Sequence, residues 1–273
     1  MLDWSATDYL AFEDERTRPA RDLLTAVPLR RARRVVDLGC GPGNSTALLA
    51  ARFPMAKVTG IDGSPAMLAA ARRRLPGCGF EIADAASWSP AAAPDGPPDL
   101  VFANALFHWL PDHPAVLARL LSELAEGGVL AVQMPDNMAE PTHTRMREVA
   151  ESGPWRETLA TTVRSREPLP PVAAYYDLLA PLSERVEIWH TVYNHPLREA
   201  TAIVDWMRSA GLRPFLEPLG EAEQAVFLDD YLRRIAAAYP RRRDGRVLLR
   251  FPRLFLVAVR GPSANIPGDA ACD

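Results

Sequence analysis

The sequence predicts an α/β fold: a doubly wound, mostly parallel seven-stranded sheet with an inserted helical cap. Three observations carry this expectation. Short, nearly all-apolar runs alternate with amphipathic helical stretches through the first half, the pattern of a parallel sheet covered on both faces. The first run, Val35-Val36, passes through Asp37 into Gly39-Cys40-Gly41-Pro42-Gly43 before a helical stretch opens at Asn44. After Gln133 the alternation gives way to proline-broken helical pieces and two further strand-like runs.

The elements follow in order. Val35 and Val36 end a buried strand with Asp37 at its carboxyl edge, and residues 44–51 form the helix after the glycines. Residues 58–61 form a strand leading into Asp62. Residues 65–75 form an amphipathic helix with Ser64 as N-cap and Pro65 at its first position. Residues 80–83 are a short strand ending at Asp84, and 99–103 another ending at Asn104. A helix is expected over 115–125 and a strand over 128–133. Residues 184–193 alternate polar and apolar like a half-exposed strand, 200–210 and 221–238 read as amphipathic helices, and 254–259 as a closing strand after a turn at Arg253. The expected organisation is an N-terminal helical segment (1–30), a binding core (31–135) and helical cap inserts (136–183 and 194–246). The last strands fall in 184–193 and 247–260, and a disordered tail rich in Pro, Gly and Ala covers 261–273.

Open α/β sheets bind ligands at the carboxyl ends of their strands. A dinucleotide site uses G-x-G-x-x-G, with the pyrophosphate on the helix N-terminus. Here Asn44 occupies the place of the third glycine, and an acid precedes the run. The arrangement D-x-G-x-G-x-G resembles motif I of S-adenosylmethionine-dependent methyltransferases, which have a Rossmann-like fold. The resemblance implies that Asp37, Gly39, Gly41 and Gly43 pass under the amino-acid end of the cofactor. It implies that Asp62, beside Gly63, takes both ribose hydroxyls, a task suited to an acceptor-only carboxylate. Asp84 and Ala85 are placed to receive the adenine amine, and Asn104 to hold the ammonium group or frame the floor of the site. Met67 either lies against the adenine face, where a thioether suits an aromatic ring, or packs in the core.

Composition narrows the classes. The chain has 273 residues, long enough for more than a minimal doubly wound domain, and a formal charge of −3. A pI near 6.0 gives no global basic field for nucleic acid. No apolar run approaches the roughly 18 residues a membrane span requires, and Met1-Leu2-Asp3-Trp4-Ser5 does not read as a signal peptide. Cytoplasm is the default, and nothing indicates an obligate protein partner. Cys40, Cys78 and Cys272 lack metal or disulfide spacing, and His108 and His113 flank a proline, so no metal is expected. The arginine clusters at 30–34 and 241–243 read as solvated turns.

A closer resemblance runs along nearly the whole chain. Trp4, Tyr9, Phe12 and Glu15-Arg16-Thr17-Arg18-Pro19 at the start, then D-L-G-C-G-P-G-N-S-T and G-I-D-G-S-P-A-M-L, are similar to the trans-aconitate 2-methyltransferase family. So are F-A-N-A-L-F-H-W-L-P-D-H at 102–113, E-P-T-H at 140–143, A-Y-Y-D at 174–177, D-W-M-R-S-A-G-L-R-P at 205–214 and F-P-R-L-F-L-V-A at 251–258. Membership implies methyl transfer from S-adenosyl-L-methionine to a carboxylate oxygen of a small tricarboxylic acid. A carboxylate is already ionised at neutral pH, so no catalytic base is needed. Tyr9 and Arg18 would then cover the cofactor with the N-terminal segment. Arg16, His108, Trp109, His143, Tyr175, Tyr176 and Arg253 are the candidates for gripping the acceptor. His108 stands where a glutamine would be expected, and residues 152–166 are longer and richer in Arg and Thr than expected. The same fold acting on another small acid, a hydroxyl or a carbon is the alternative, with His108 as the candidate base for the last two; cofactor binding without catalysis is another.

Overall fold

The computed structural model describes residues 13–93, 95–165 and 167–262. Trp4, Tyr9, Cys272 and the expected tail from 263 onward lie outside them. Helix α1 (Glu13–Ala26) precedes β1 (Arg34–Leu38), α2 (Asn44–Arg52), β2 (Lys57–Asp62), α3 (Pro65–Arg74), β3 (Gly79–Ile82), β4 (Leu100–Asn104), α4 (His113–Ser122) and β5 (Val129–Pro135). The chain then forms α5 (Pro141–Ser152), α6 (Arg156–Ser165), α7 (Val172–Leu179), β6 (Ser183–Leu197), α8 (Ala200–Arg208), α9 (Arg213–Leu216), α10 (Glu221–Ala238) and β7 (Val247–Arg260).

The seven strands lie in the order β3-β2-β1-β4-β5-β7-β6. The first five are parallel, and β7 inserts antiparallel between β5 and β6. Strand alternation sends Val35, Leu100, Phe102, Ala131 and Val257 to the face covered by α1 and α2. Val36, Leu38, Val101, Val132 and Leu256 go to the face under α4 and α7. Ser64 caps α3 as expected, its hydroxyl accepting from the Met67 N–H at 3.3 Å, with Pro65 in the first turn.

Two sequence expectations are corrected. Arg253 is not at a turn: it sits in the middle of β7, paired with Pro135 on one side and Thr191 on the other. The β6–β7 ladder also continues through Leu197 and Val247, so residues 194–197, expected in the cap, belong to the sheet. The ladder extends because these two strands outrun β5 and carry the cap on their far halves. There Leu249 and Phe251 from β7 and Leu197 from β6 share one apolar core with Trp155, Trp206, Phe227 and Tyr231 of the helical segments. That core fixes the cap over the carboxyl ends of the parallel strands. Among the described residues no helix is long and apolar enough to cross a membrane.

Candidate functional site

The glycine turn is built around backbone that side chains would not tolerate. Gly39 has φ +73°, and a Cβ there would lie 2.8 Å from the Leu106 side chain. Its N–H and that of Cys40 both donate to the Ile61 carbonyl, at 2.8 and 3.0 Å, which folds the turn against β2. Gly43, at φ +91°, supplies the left-handed N-cap of α2. Leu106 reaches the turn because Ala105 adopts φ +59° just after β4, with its N–H donating to the Gln133 carbonyl at 2.9 Å. A non-glycine residue in this region carries about 1–2 kcal/mol of strain, and such strain clusters at functional sites. The Cys40 thiol is buried, and burial raises its pKa, so it is no nucleophile.

Asp37 is fully buried behind the turn. Its Oδ2 accepts from the hydroxyls of Ser45 at 2.8 Å and Thr46 at 2.6 Å, while Oδ1 is buried with no hydrogen-bond partner among the described residues. Burial pushes its pKa up to about 6, against the lowering effect of the two hydroxyls. Asp62 is held by backbone: Oδ2 accepts from Gly41 N–H at 2.9 Å and Oδ1 from Ser64 N–H at 2.8 Å. Burial raises its pKa too, with these bonds and one from Gly63 working the other way. A carboxylate has about four lone-pair sites, so the anchored group keeps acceptor capacity for a ligand.

Asp37 begins a polar row. The β1, β4, β5 and β7 residues that face α1 and α2 are apolar until the carboxyl ends of the parallel strands. There the same face presents Asp37, Asn104, Gln133 and Arg253 on four neighbouring strands. Asn104 is in register with Gln133 and Pro135 with Arg253. Asn104 Oδ1 and Gln133 Nε2 are, like Asp37 Oδ1, buried atoms without a hydrogen-bond partner among the described residues. Buried polar atoms are nearly always paired, so a line of three marks a place where a ligand completes the set. A small cleft beside the row is lined by Arg16, Thr17, Gly39, Cys40, Asn44 and Asn104, among others. Larger depressions lie elsewhere, among residues 241–247 at the far end of the β6–β7 arm and beside Arg30 and Arg52 at the amino edge of the sheet. Neither touches the glycine turn.

The other residues singled out from the sequence divide into groups. Arg16 is buried, its guanidinium donating to Ser209 Oγ at 2.5 Å and lying 5.8 Å from the Trp206 ring centroid. Arg253 is buried, donating to Gln133 Oε1 at 3.1 Å. His143 is buried in the first turn of α5, within reach of Thr142 Oγ1 and close to Gly211. His108 and Trp109 form a short 3-10 turn after β4, their rings 4.9 Å apart. Tyr175 is fully buried, its hydroxyl 2.6 Å from His113 Nε2. Met67 is buried on the inner side of α3, while Asp84 is exposed, bonded to Ala86 N–H, with Ala85 half-buried behind it.

One candidate points away from the row and another reaches only its far end. Arg18 turns to the β6 side of α1, where its guanidinium lies 5.2 Å from the Tyr193 ring centroid. Tyr176 is 53% exposed on the outer side of α7, because its neighbour Tyr175 takes the inward position. The sequence reading also missed Ser45, Thr46, Gln133, His195, Trp206 and Ser209. Gln133 carried a signal, a lone amide closing an all-apolar strand; the rest become visible only when β6, α8 and the glycine turn meet.

A methyltransferase domain family model matches residues 35–128. A trans-aconitate 2-methyltransferase of Rhodopseudomonas palustris strain BisA53 is 60% identical over 258 residues, covering 94% of this chain and 99% of the relative. One from Methylobacterium radiotolerans is 59% identical over 261 residues, covering 94% and 98%. Among solved structures, the YcgJ protein of Bacillus subtilis superposes with a TM-score of 0.58 at 12% identity, covering 90% of this chain and 99% of that one. The phosphoethanolamine N-methyltransferase 2 of Haemonchus contortus, solved with S-adenosylhomocysteine, gives a TM-score of 0.53 at 16% identity over 93% of this chain and 58% of its own. The structural likenesses speak for the fold.

Proposed function

The chain belongs to the trans-aconitate 2-methyltransferase family, and from that membership we propose that it esterifies a carboxylate of trans-aconitate with the methyl group of S-adenosylmethionine. It is an S-adenosylmethionine-dependent methyltransferase. The observation in this chain that supports the reading is the polar row from Asp37 to Arg253, which begins with an acid beside the glycine turn and ends with a buried cation.

The residues present fit the cofactor. The glycine turn leaves no room for a Cβ at Gly39, and Asp37 Oδ1 and Asn104 Oδ1 are buried acceptors suited to an ammonium group. Asp62, oriented by Gly41 and Ser64, would take the ribose hydroxyls, with Gly63 alongside and Asp84 and Ala85 near the adenine. When bound, S-adenosylmethionine supplies a methyl group that leaves with its C–S electron pair going to sulfur as a carboxylate oxygen forms the new C–O bond. No proton is transferred, because the acceptor carboxylate is ionised well below neutral pH.

The chain's own contribution is therefore positioning. The reacting atoms must be held in line about 3–3.5 Å apart, which is worth several kcal/mol of barrier. Arg16 and Arg253 bind the carboxylates that do not react, since a guanidinium clamped on the attacking oxygen would withdraw its electron density. His143, Trp109 and His108 border the acceptor, whereas Tyr175 packs on the opposite face of the sheet, under α7 and against His113. A weakly polar surround favours the reaction, since sulfonium and carboxylate charges cancel as the bond forms.

The test is an assay with methyl-labelled cofactor against trans-aconitate, cis-aconitate, citrate, isocitrate and itaconate. Label should enter a base-labile ester of trans-aconitate in preference to the others. Transfer to none of these acids, or a base-stable product, would rule the proposal out.

A further inference from the structure

Beyond Asn104 the polar row runs onto strands that no cofactor role explains, and its groups there are donors. The Gln133 amide is fully buried, and its Oε1 accepts from Arg253 Nη1 at 3.1 Å. That bond fixes which way the amide points and leaves Nε2, two N–H donors, buried without a hydrogen-bond partner among the described residues. On the far side of Arg253 stands His195. Register places His195 opposite Leu249 and Tyr193 opposite Phe251, so strand alternation puts Phe251, Arg253, Tyr193 and His195 on one face of the sheet. The His195 ring is buried between Tyr193 and Trp206, with centroids 6.0 and 5.0 Å away, and its Nε2 is a second buried atom without a hydrogen-bond partner among the described residues. Arg253 and His195 meet the same Phe251 ring, the guanidinium carbon 4.6 Å and the imidazole centroid 6.3 Å from its centre.

We propose that Gln133 and His195, on either side of Arg253, are specificity-determining contacts that seat a non-reacting carboxylate of the acceptor. The inference rests on the reading of this site as a tricarboxylate site and assigns its far end. An amide, a guanidinium and an imidazole in its Nε2–H form are donor groups of the kinds that recognise a carboxylate. The imidazole is held neutral, its pKa pushed down to about 4 by burial first and then by the charges of Arg253 and Arg18. It thus adds a directed N–H without a further cation to a pocket that already holds buried arginines. Arg16 also lies 5.8 Å from the Trp206 ring centroid, so the seat and the second arginine share that ring as a wall. Because Gln133 is also in register with Asn104, the seat lies one strand from the cofactor end of the row. A small acid anchored there would have another carboxylate within reach of the methyl group.

The experiment compares Gln133→Leu, Gln133→Glu, His195→Phe and His195→Gln with the wild-type enzyme. Each is measured for kcat and KM with trans-aconitate, for S-adenosylhomocysteine affinity by calorimetry and for melting temperature. Gln133→Leu and His195→Phe should raise KM by about tenfold or more, the loss expected for a hydrogen bond to a charged group. Their kcat should stay within about threefold and cofactor affinity should be unchanged. Gln133→Glu, which keeps the side chain's shape and adds an anion, should raise KM further. His195→Gln should recover most of the loss because it restores a donor. The same variants should leave unchanged the inhibition constant of a dicarboxylate analogue in which a methyl group replaces the seated carboxylate. Unchanged KM in folded variants, or equal losses with tricarboxylate and dicarboxylate, would overturn the seat while leaving the proposed function standing. Failure of the wild-type enzyme to methylate any tricarboxylic acid would overturn both.

Discussion

Asp37→Asn should stabilise the ligand-free protein at neutral pH while weakening cofactor binding. The carboxyl is fully buried, and its pKa rises from 3.8 to about 6 in the fold. Two pH units at about 1.4 kcal/mol each make the ionised side chain cost about 3 kcal/mol of stability. Because the folded value lies above the unfolded one, this part of the stability is present below pH 4 and lost as pH rises through 6. Asparagine keeps an oxygen for Ser45 and Thr46 but turns an NH2 toward the position of the unpartnered Oδ1, which offsets about 1–2 kcal/mol. The variant should therefore be about 1–2 kcal/mol more stable than wild type at pH 7 and less stable at pH 4. Urea unfolding of both proteins across pH 4–7.5, without ligand, measures the crossing. Binding adds a second readout. An ammonium beside Oδ1 favours the carboxylate, so wild-type affinity for S-adenosylhomocysteine should improve by up to about tenfold per unit from pH 5 to 6 and level off above. The variant should bind more weakly and without that slope. A stability difference that stays constant with pH, or an Asn variant with wild-type affinity, would refute this account of the site's acid.

Asp62→Ala should lose about 1.5–3 kcal/mol of S-adenosylhomocysteine affinity, because charge-assisted bonds to the ligand and the anchor of Gly41 N–H vanish together; calorimetry decides, and Asp62→Asn should be milder. Gly39→Ala should destabilise the fold by about 1–3 kcal/mol, since it places a side chain at φ +73° and 2.8 Å from Leu106. Pairing it with Leu106→Ala should return only part of the loss in urea unfolding, the share due to contact and not to backbone. With a carboxylate acceptor, kcat should be flat from about pH 6 to 9, and His108→Gln should act on KM. A tenfold rise per pH unit through 6–7 that this substitution removes would make His108 a base and point to a hydroxyl or carbon acceptor.

Much of the molecule was legible in the chain because it depends on local order. Apolar runs with period two, helices with a cap at Ser64, and a glycine turn that permits positive φ are written residue by residue, and together they give the sheet and its ligand-binding edge. The first-half site residues follow from strand ends: Asp37, Asp62 and Asn104 each close an apolar run. What the sequence left open depends on which distant segments touch. The closing apolar run made Arg253 look like a turn ahead of a strand, whereas pairing with both β5 and β6 carries it into the middle of one and buries it beside Gln133. Tyr175 and Tyr176 are equivalent as letters, but α7 has one inward side and gives it to Tyr175. Arg18 belongs to the same short motif as Arg16, yet two helical positions separate them by about 200°, so one meets Trp206 and the other Tyr193. His195 carried no local signal at all. Its place beside Arg253 comes from a register between strands joined through a long helical insertion, and only the folded sheet fixes that register.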